Sequence, residues 1–146
     1  THALVHGGVW HLVFNMVALW SFGTVAEQVV AQLMPHTGAA LYLAFYVSAV
    51  AVASWPSYRR HRHDPTFISV GASGGVSAVV AFAILVDPAA TVYVYVIPMP
   101  GWLFLAAFMG VSALLARRPN SHIDHLAHLA GAMYGVAVLV TLGAAF

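Results

Sequence analysis

Four side chains in this sequence have the types and surroundings that acyl transfer requires: Ser73, His128, His11 and Asn15. Ser73 sits in Gly71-Ala72-Ser73-Gly74-Gly75. A hydroxyl flanked by glycines leaves room for a substrate backbone and is well placed as a nucleophile. His128 opens the stretch Ala127-His128-x-x-Gly131-x-x-x-Gly135, in which His128, Gly131 and Gly135 fall on one helical face. The two glycines make a small-xxx-small surface that admits a neighbouring helix closely enough for an imidazole to reach a serine on it. His11 and Asn15 are four residues apart and aim two hydrogen-bond donors at one place. Together these groups supply nucleophile, general base and oxyanion donors. Each also has a plainer reading. His11 and Asn15 could be interhelical polar contacts, and Gly-x-Ser-Gly could be a packing surface of small residues. His125 and His128 could ligate a metal, but they are three apart with no cysteine and no H-E-x-x-H pattern, so no metal is expected.

The elements that must position these groups are membrane helices. Of 146 residues, 62% are hydrophobic and 6% charged, which excludes an ordinary water-soluble domain. Five arginines against four acids leave no basic face for nucleic acid. Cysteine is absent, so thiol nucleophiles, disulfides and thiolate metal sites are excluded. No Asp, Glu, Lys or Arg occurs between Glu27 and Arg59, between Asp64 and Asp87, between Asp87 and Arg117, or after Asp124. These gaps predict five spans, at about 9–33, 38–55, 70–86, 91–116 and 125–146, in one domain covering residues 1–146. Pro98, Pro100 and Gly101 should kink or break the fourth span. The third, counted from Ser73, is short: at 1.5 Å per residue it covers roughly 21 Å of a core about 30 Å thick. If its far end reaches the opposite interface near Asp87, Ser73 starts below the near surface, beside backbone that must be buried in protein or line a wet cavity.

With these residues in view, the sequence resembles the rhomboid family of intramembrane serine proteases along essentially its whole length. His6…His11-Leu-x-x-Asn15 is similar to the family's second helix, Gly71-Ala-Ser73-Gly74 to its serine motif, and Ala127-His128-x-x-Gly131-x-x-x-Gly135 to its last helix. Within the family, the sequence is most similar to the mitochondrial presenilin-associated branch or a bacterial relative. The resemblance implies an all-α polytopic transmembrane bundle from which the first of six core helices is missing. It also implies a Ser73–His128 dyad and an oxyanion hole of His11, Asn15 and the Ser73 amide. Gly71, Gly74, Gly131 and Gly135 become supporting glycines, and Glu27 takes a structural hydrogen-bonding role. The expected activity is endopeptidase cleavage of transmembrane segments of other membrane proteins, without a cofactor. The expected location is the bilayer of a bacterial plasma membrane or the mitochondrial inner membrane.

The sequence departs from the family pattern where the family often stacks a tyrosine on the histidine, because Ser77 stands there. Asp124, one turn before His128, is a candidate to orient the imidazole. The plainer reading makes Ser121-x-x-Asp124 a helix-starting capping box. Gly71-x-Ser73-x-Gly75 also fits the nucleophile elbow of α/β-hydrolases, but that elbow needs a soluble sheet around it. Two non-enzymatic readings compete. A transporter should carry embedded charges, for which only Glu27 qualifies, and an inactive relative that binds transmembrane clients should lack the serine or the histidine. All five arginines fall in the second and fourth connectors, where Ser73 and His128 begin their helices. The positive-inside bias then predicts a catalytic mouth facing the cytoplasm or matrix.

Overall fold

The computed structural model describes residues 8–64, 72–94, 96–117 and 123–143. The apolar runs form five helices: α1 (Val9–Leu33), α2 (Gly38–His61), α3 (Ser73–Val86), α4 (Gly101–Leu115) and α5 (His125–Gly143). Between α3 and α4 lies a short hairpin of β1 (Thr91–Val94) and β2 (Ile97–Pro100). The helices α1, α2 and α5, of 25, 24 and 19 residues, are long and apolar enough to cross a membrane. The molecule is thus an all-α bundle and an integral multi-pass membrane protein. Apolar side chains such as Trp10, Trp20, Leu43, Val47, Leu114 and Val140 line its exposed exterior.

The short α3 is the axis. Every residue from Gly74 to Ile84 is buried, and the other four helices all pack against it. One face of α3 sends Ala78, Val79 and Phe82 into a cluster with Ala26, Val30, Phe45 and Ala49 of α1 and α2. The opposite face sends Val76, Val80, Ala81 and Ile84 towards Leu105 of α4 and Ala132 of α5. Lipid provides little hydrophobic drive for helix association, so close packing must hold such a bundle together. The tightest seam is between α3 and α5. A Cβ at Gly131 would overlap the carbonyl of Gly74, and one at Gly135 would overlap that of Ala78.

Two elements differ from the sequence-based expectation. The predicted fourth span does not begin at Thr91. Thr91 pairs with Pro100, Val92 with Met99, Tyr93 with Pro98 and Val94 with Ile97 in an antiparallel hairpin. β-Branched residues favour extended backbone, and prolines are tolerated in a two-stranded ribbon, where every strand is an edge. The hairpin is anchored at its base, where the amides of Gly101 and Trp102 donate to the carbonyls of Ala90 and Pro88, both at 2.9 Å. The second span, in turn, does not stop at Trp55. It continues through Pro56 to His61 and ends on Arg59, Arg60 and His61, the two arginines being cations that suit a helix C-terminus. This extra length delivers Ser57 to the start of α5 and lets Arg60 Nη1 donate to the Ala116 carbonyl at the end of α4, at 2.9 Å.

Candidate active site

Ser73 is the first residue of α3, and His128 lies in the first turn of α5. The glycine seam between these helices brings the two side chains together, with His128 Nε2 2.8 Å from Ser73 Oγ. The α3 start has no side-chain cap, and among the described residues the first amide bonded back along the helix is that of Val76, to Ala72 at 3.0 Å. The Ser73 amide therefore belongs to the set of N-terminal donors that a helix leaves without an internal partner, at the positive end of its dipole. A serine hydroxyl, an imidazole and a helix N-terminal amide thus lie at one spot.

The imidazole is held by rings. Phe108 of α4 stacks on His128 with centroids 5.8 Å apart and planes 28° from parallel, and His125 meets it edge-on at 6.0 Å and 86°. Ser77 supplies no ring, and its hydroxyl donates to the Ser73 carbonyl at 2.8 Å. Asp124 acts as the helix start. Its Oδ1 accepts the Ala127 amide at 2.9 Å and the hydroxyl of buried Ser57 at 2.6 Å, tying α2 to the N-terminus of α5. The capping function thus falls to Asp124 itself, and Ser121 lies outside the described residues. Neither Phe108 nor Ser57 had a signal in the sequence. Phe108 lies within the apolar fourth span with nothing to mark which neighbour it faces, and Ser57 lies just beyond the predicted second span.

Asn15 is buried, and its Nδ2 donates to the His11 carbonyl at 2.8 Å, one turn back on α1. An amide nitrogen carries two hydrogens, so this bond fixes the side chain and leaves one donor. His11 is half-buried and within electrostatic reach of His128. Glu27 is exposed and makes no hydrogen bond among the described residues. Gly71 lies outside the described residues, whereas Gly74 packs where a Cβ would come within 2.6 Å of the Ala53 Cβ. An apolar cleft lined by Val30, Met34, Phe45, Tyr134 and Val138 lies away from Ser73. Its polar side chains, Ser48 and Tyr134, bond each other at 2.8 Å, so it offers no reactive group.

Comparison with known proteins gives the same family. The rhomboid domain family matches residues 1–145. Rhomboid protein 1, mitochondrial, of Saccharomyces cerevisiae is 35% identical over 140 residues, which is 92% of this chain and 38% of that protein. RHOMBOID-like protein 12, mitochondrial, of Arabidopsis thaliana is 33% identical over 144 residues, 90% of this chain and 42% of its own length. The presenilin-associated rhomboid-like protein, mitochondrial, of Homo sapiens is 28% identical over 141 residues, 90% and 34% respectively. The chain thus spans well under half the length of these relatives. No solved structure matches significantly. With a family match across nearly every residue, and a serine and histidine brought together at the seam of two helices, the chain belongs to the rhomboid family.

Proposed function

We propose that the chain is the core of an intramembrane serine endopeptidase that cleaves transmembrane segments of other membrane proteins. The 2.8 Å contact between His128 Nε2 and Ser73 Oγ carries this reading. A neutral imidazole with its proton on Nδ1 accepts the Ser73 proton as Oγ attacks the substrate carbonyl. The Ser73 amide, Asn15 and His11 stabilise the resulting oxyanion, in a site walled from lipid. Imidazolium then protonates the leaving amine as the C–N bond breaks, leaving an acyl ester on Ser73 that water hydrolyses with His128 again as base. No step requires a metal. A substrate helix must unwind to expose its carbonyl, so residues that weaken helices are expected near the cut. The relatives, mitochondrial proteins by name, favour a mitochondrial membrane.

The test is incubation of the full-length protein with a model transmembrane substrate and, separately, with a fluorophosphonate whose attachment is mapped. Label on Ser73, together with loss of cleavage in Ser73→Ala and His128→Ala variants that still fold, is the expected result. Chelators should leave the rate unchanged. Residual proteolysis in Ser73→Ala would sink the dyad, and inhibition by chelators would return the two histidines to a metal reading.

A further inference from the structure

The α4 helix contributes a residue to the same site. We propose that Phe108 is a positioning residue that sets the plane of the His128 imidazole for proton transfer, an inference that rests on the Ser73–His128 reading above. A histidine ring rotates about χ2 in broad, shallow wells, so a single hydrogen bond through Nε2 does not fix its tilt. Packing on the ring must do so. Phe108 lies over the imidazole face at 5.8 Å and 28°, within the range of offset-stacked aromatic pairs. Phe108 is itself backed by Phe104, one turn earlier on α4, at 6.2 Å and 10°. His125 closes the imidazole edge at 6.0 Å. The result is a column of Phe104, Phe108 and His128 that ends on Ser73 Oγ.

The position of α4 in the fold gives the column its significance. Among the five helices α4 buries the fewest residues, only Gly101, Leu105 and Ser112. Ser77, on the serine helix and one turn from the nucleophile, presents a hydroxyl bonded to the Ser73 carbonyl and not a ring. The general base therefore takes its orientation from a helix that buries only three of its own residues. A shift of α4 that slides Phe108 off the imidazole leaves both members of the dyad in place but misaligned.

The experiment compares Phe108→Leu and Phe108→Met, which keep apolar bulk without a ring, with Phe108→Tyr and Phe108→Trp, which keep the ring. Cleavage of a transmembrane substrate by the full-length protein gives kcat and KM. The rate of fluorophosphonate labelling at Ser73 reports dyad competence without any peptide substrate. The Leu and Met variants should lose about threefold to tenfold in kcat and in labelling rate, the size expected for one aromatic pair. Their KM should stay within about twofold of the wild-type value, and Tyr or Trp should restore the rate. Wild-type kcat and labelling in both Leu and Met variants would overturn the proposal. An equal loss in the Tyr and Trp variants would reduce Phe108 to bulk packing and overturn it too. Ser73→Ala and His128→Ala serve as parallel controls. If they still cleave, the dyad reading has failed. If they are inactive while Phe108→Leu is unimpaired, only the present inference has failed.

Discussion

In the proposed mechanism Asn15 is both structural and chemical. Its bond to the His11 carbonyl holds the amide rigid, and the hydrogen that remains is the one available to an oxyanion. Asn15→Ala should lower kcat by up to about a hundredfold, the lower end of the cost of one lost oxyanion donor, because the Ser73 amide and His11 remain. KM should change little, since the interaction forms only as charge develops. Full activity in an Asn15→Ala, His11→Ala double variant would make the pair interhelical contacts and nothing more. At this scale the sequence was legible where geometry demands a residue type. Glycines 74, 131 and 135 lie where no Cβ fits, so their spacing pointed to the seam that joins Ser73 to His128. Phe108 was not legible, because an apolar ring on an apolar helix carries no mark of which neighbour it faces.

Helices α3 and α5 depend on each other more than on their own propensities. Gly131→Ala should force a methyl into the Gly74 carbonyl and push the seam open, at a cost of about 1–3 kcal/mol or more for overpacking. The loss of activity should exceed the loss of stability, because the same seam sets the Ser73–His128 distance. Thermal unfolding and fluorophosphonate labelling, measured on the same preparation, separate the two effects. Equal stability and labelling in Gly131→Ala would show that the seam can relax. The cap of α5 makes a complementary prediction. Asp124→Ala removes the acceptor for the Ala127 amide and for Ser57, and should cost about 1–2 kcal/mol. Asp124→Asn keeps a side-chain oxygen at the cap and should retain most of that stability. If Asn is as damaging as Ala, the carboxylate charge matters and the cap reading is incomplete. Element boundaries were less legible than element existence. An apolar run records burial in lipid or protein but not whether its backbone is helix or strand, so Thr91–Pro100 read as the start of a helix. Pro56 read as a stop because it lacks an N–H, yet α2 runs on to contacts with α4 and α5.

At the scale of the whole molecule, charge is gathered at one end. Arg59, Arg60 and Arg62 lie at the end of α2 and Arg117 just beyond α4, all exposed, while Arg118 lies outside the described residues. The bond from Arg60 to the Ala116 carbonyl joins the two clusters, which sequence separates, into one rim. The same end holds Ser73 and the bond from Ser57 to Asp124, so the mouth of the proposed site and the arginines share a face. At the other end, the turn at residues 34–37 between α1 and α2 contains no Arg or Lys. Short loops rich in arginine remain on the cytoplasmic or matrix side, so the mouth should open towards that compartment. Trp55, Tyr58 and Arg59 support the placement of this rim at the headgroup level. Arg59 lies 5.7 Å over the Trp55 ring, and Trp55 packs with Tyr58 at 6.0 Å, in keeping with the aromatic belts found at membrane interfaces. His63, beside the arginines, and His36, in the turn at the opposite end, are both exposed. These 146 residues contain no cysteine, so His63→Cys and His36→Cys can each be introduced into the full-length protein after any cysteines elsewhere have been replaced. In sealed, oriented vesicles or mitoplasts, a membrane-impermeant thiol reagent added outside should label the cysteine at 36 and reach the one at 63 only after permeabilisation. The reverse pattern would place the mouth on the periplasmic or intermembrane-space side. The arginines would then act at the rim of the site through their local contacts, with no part in setting topology.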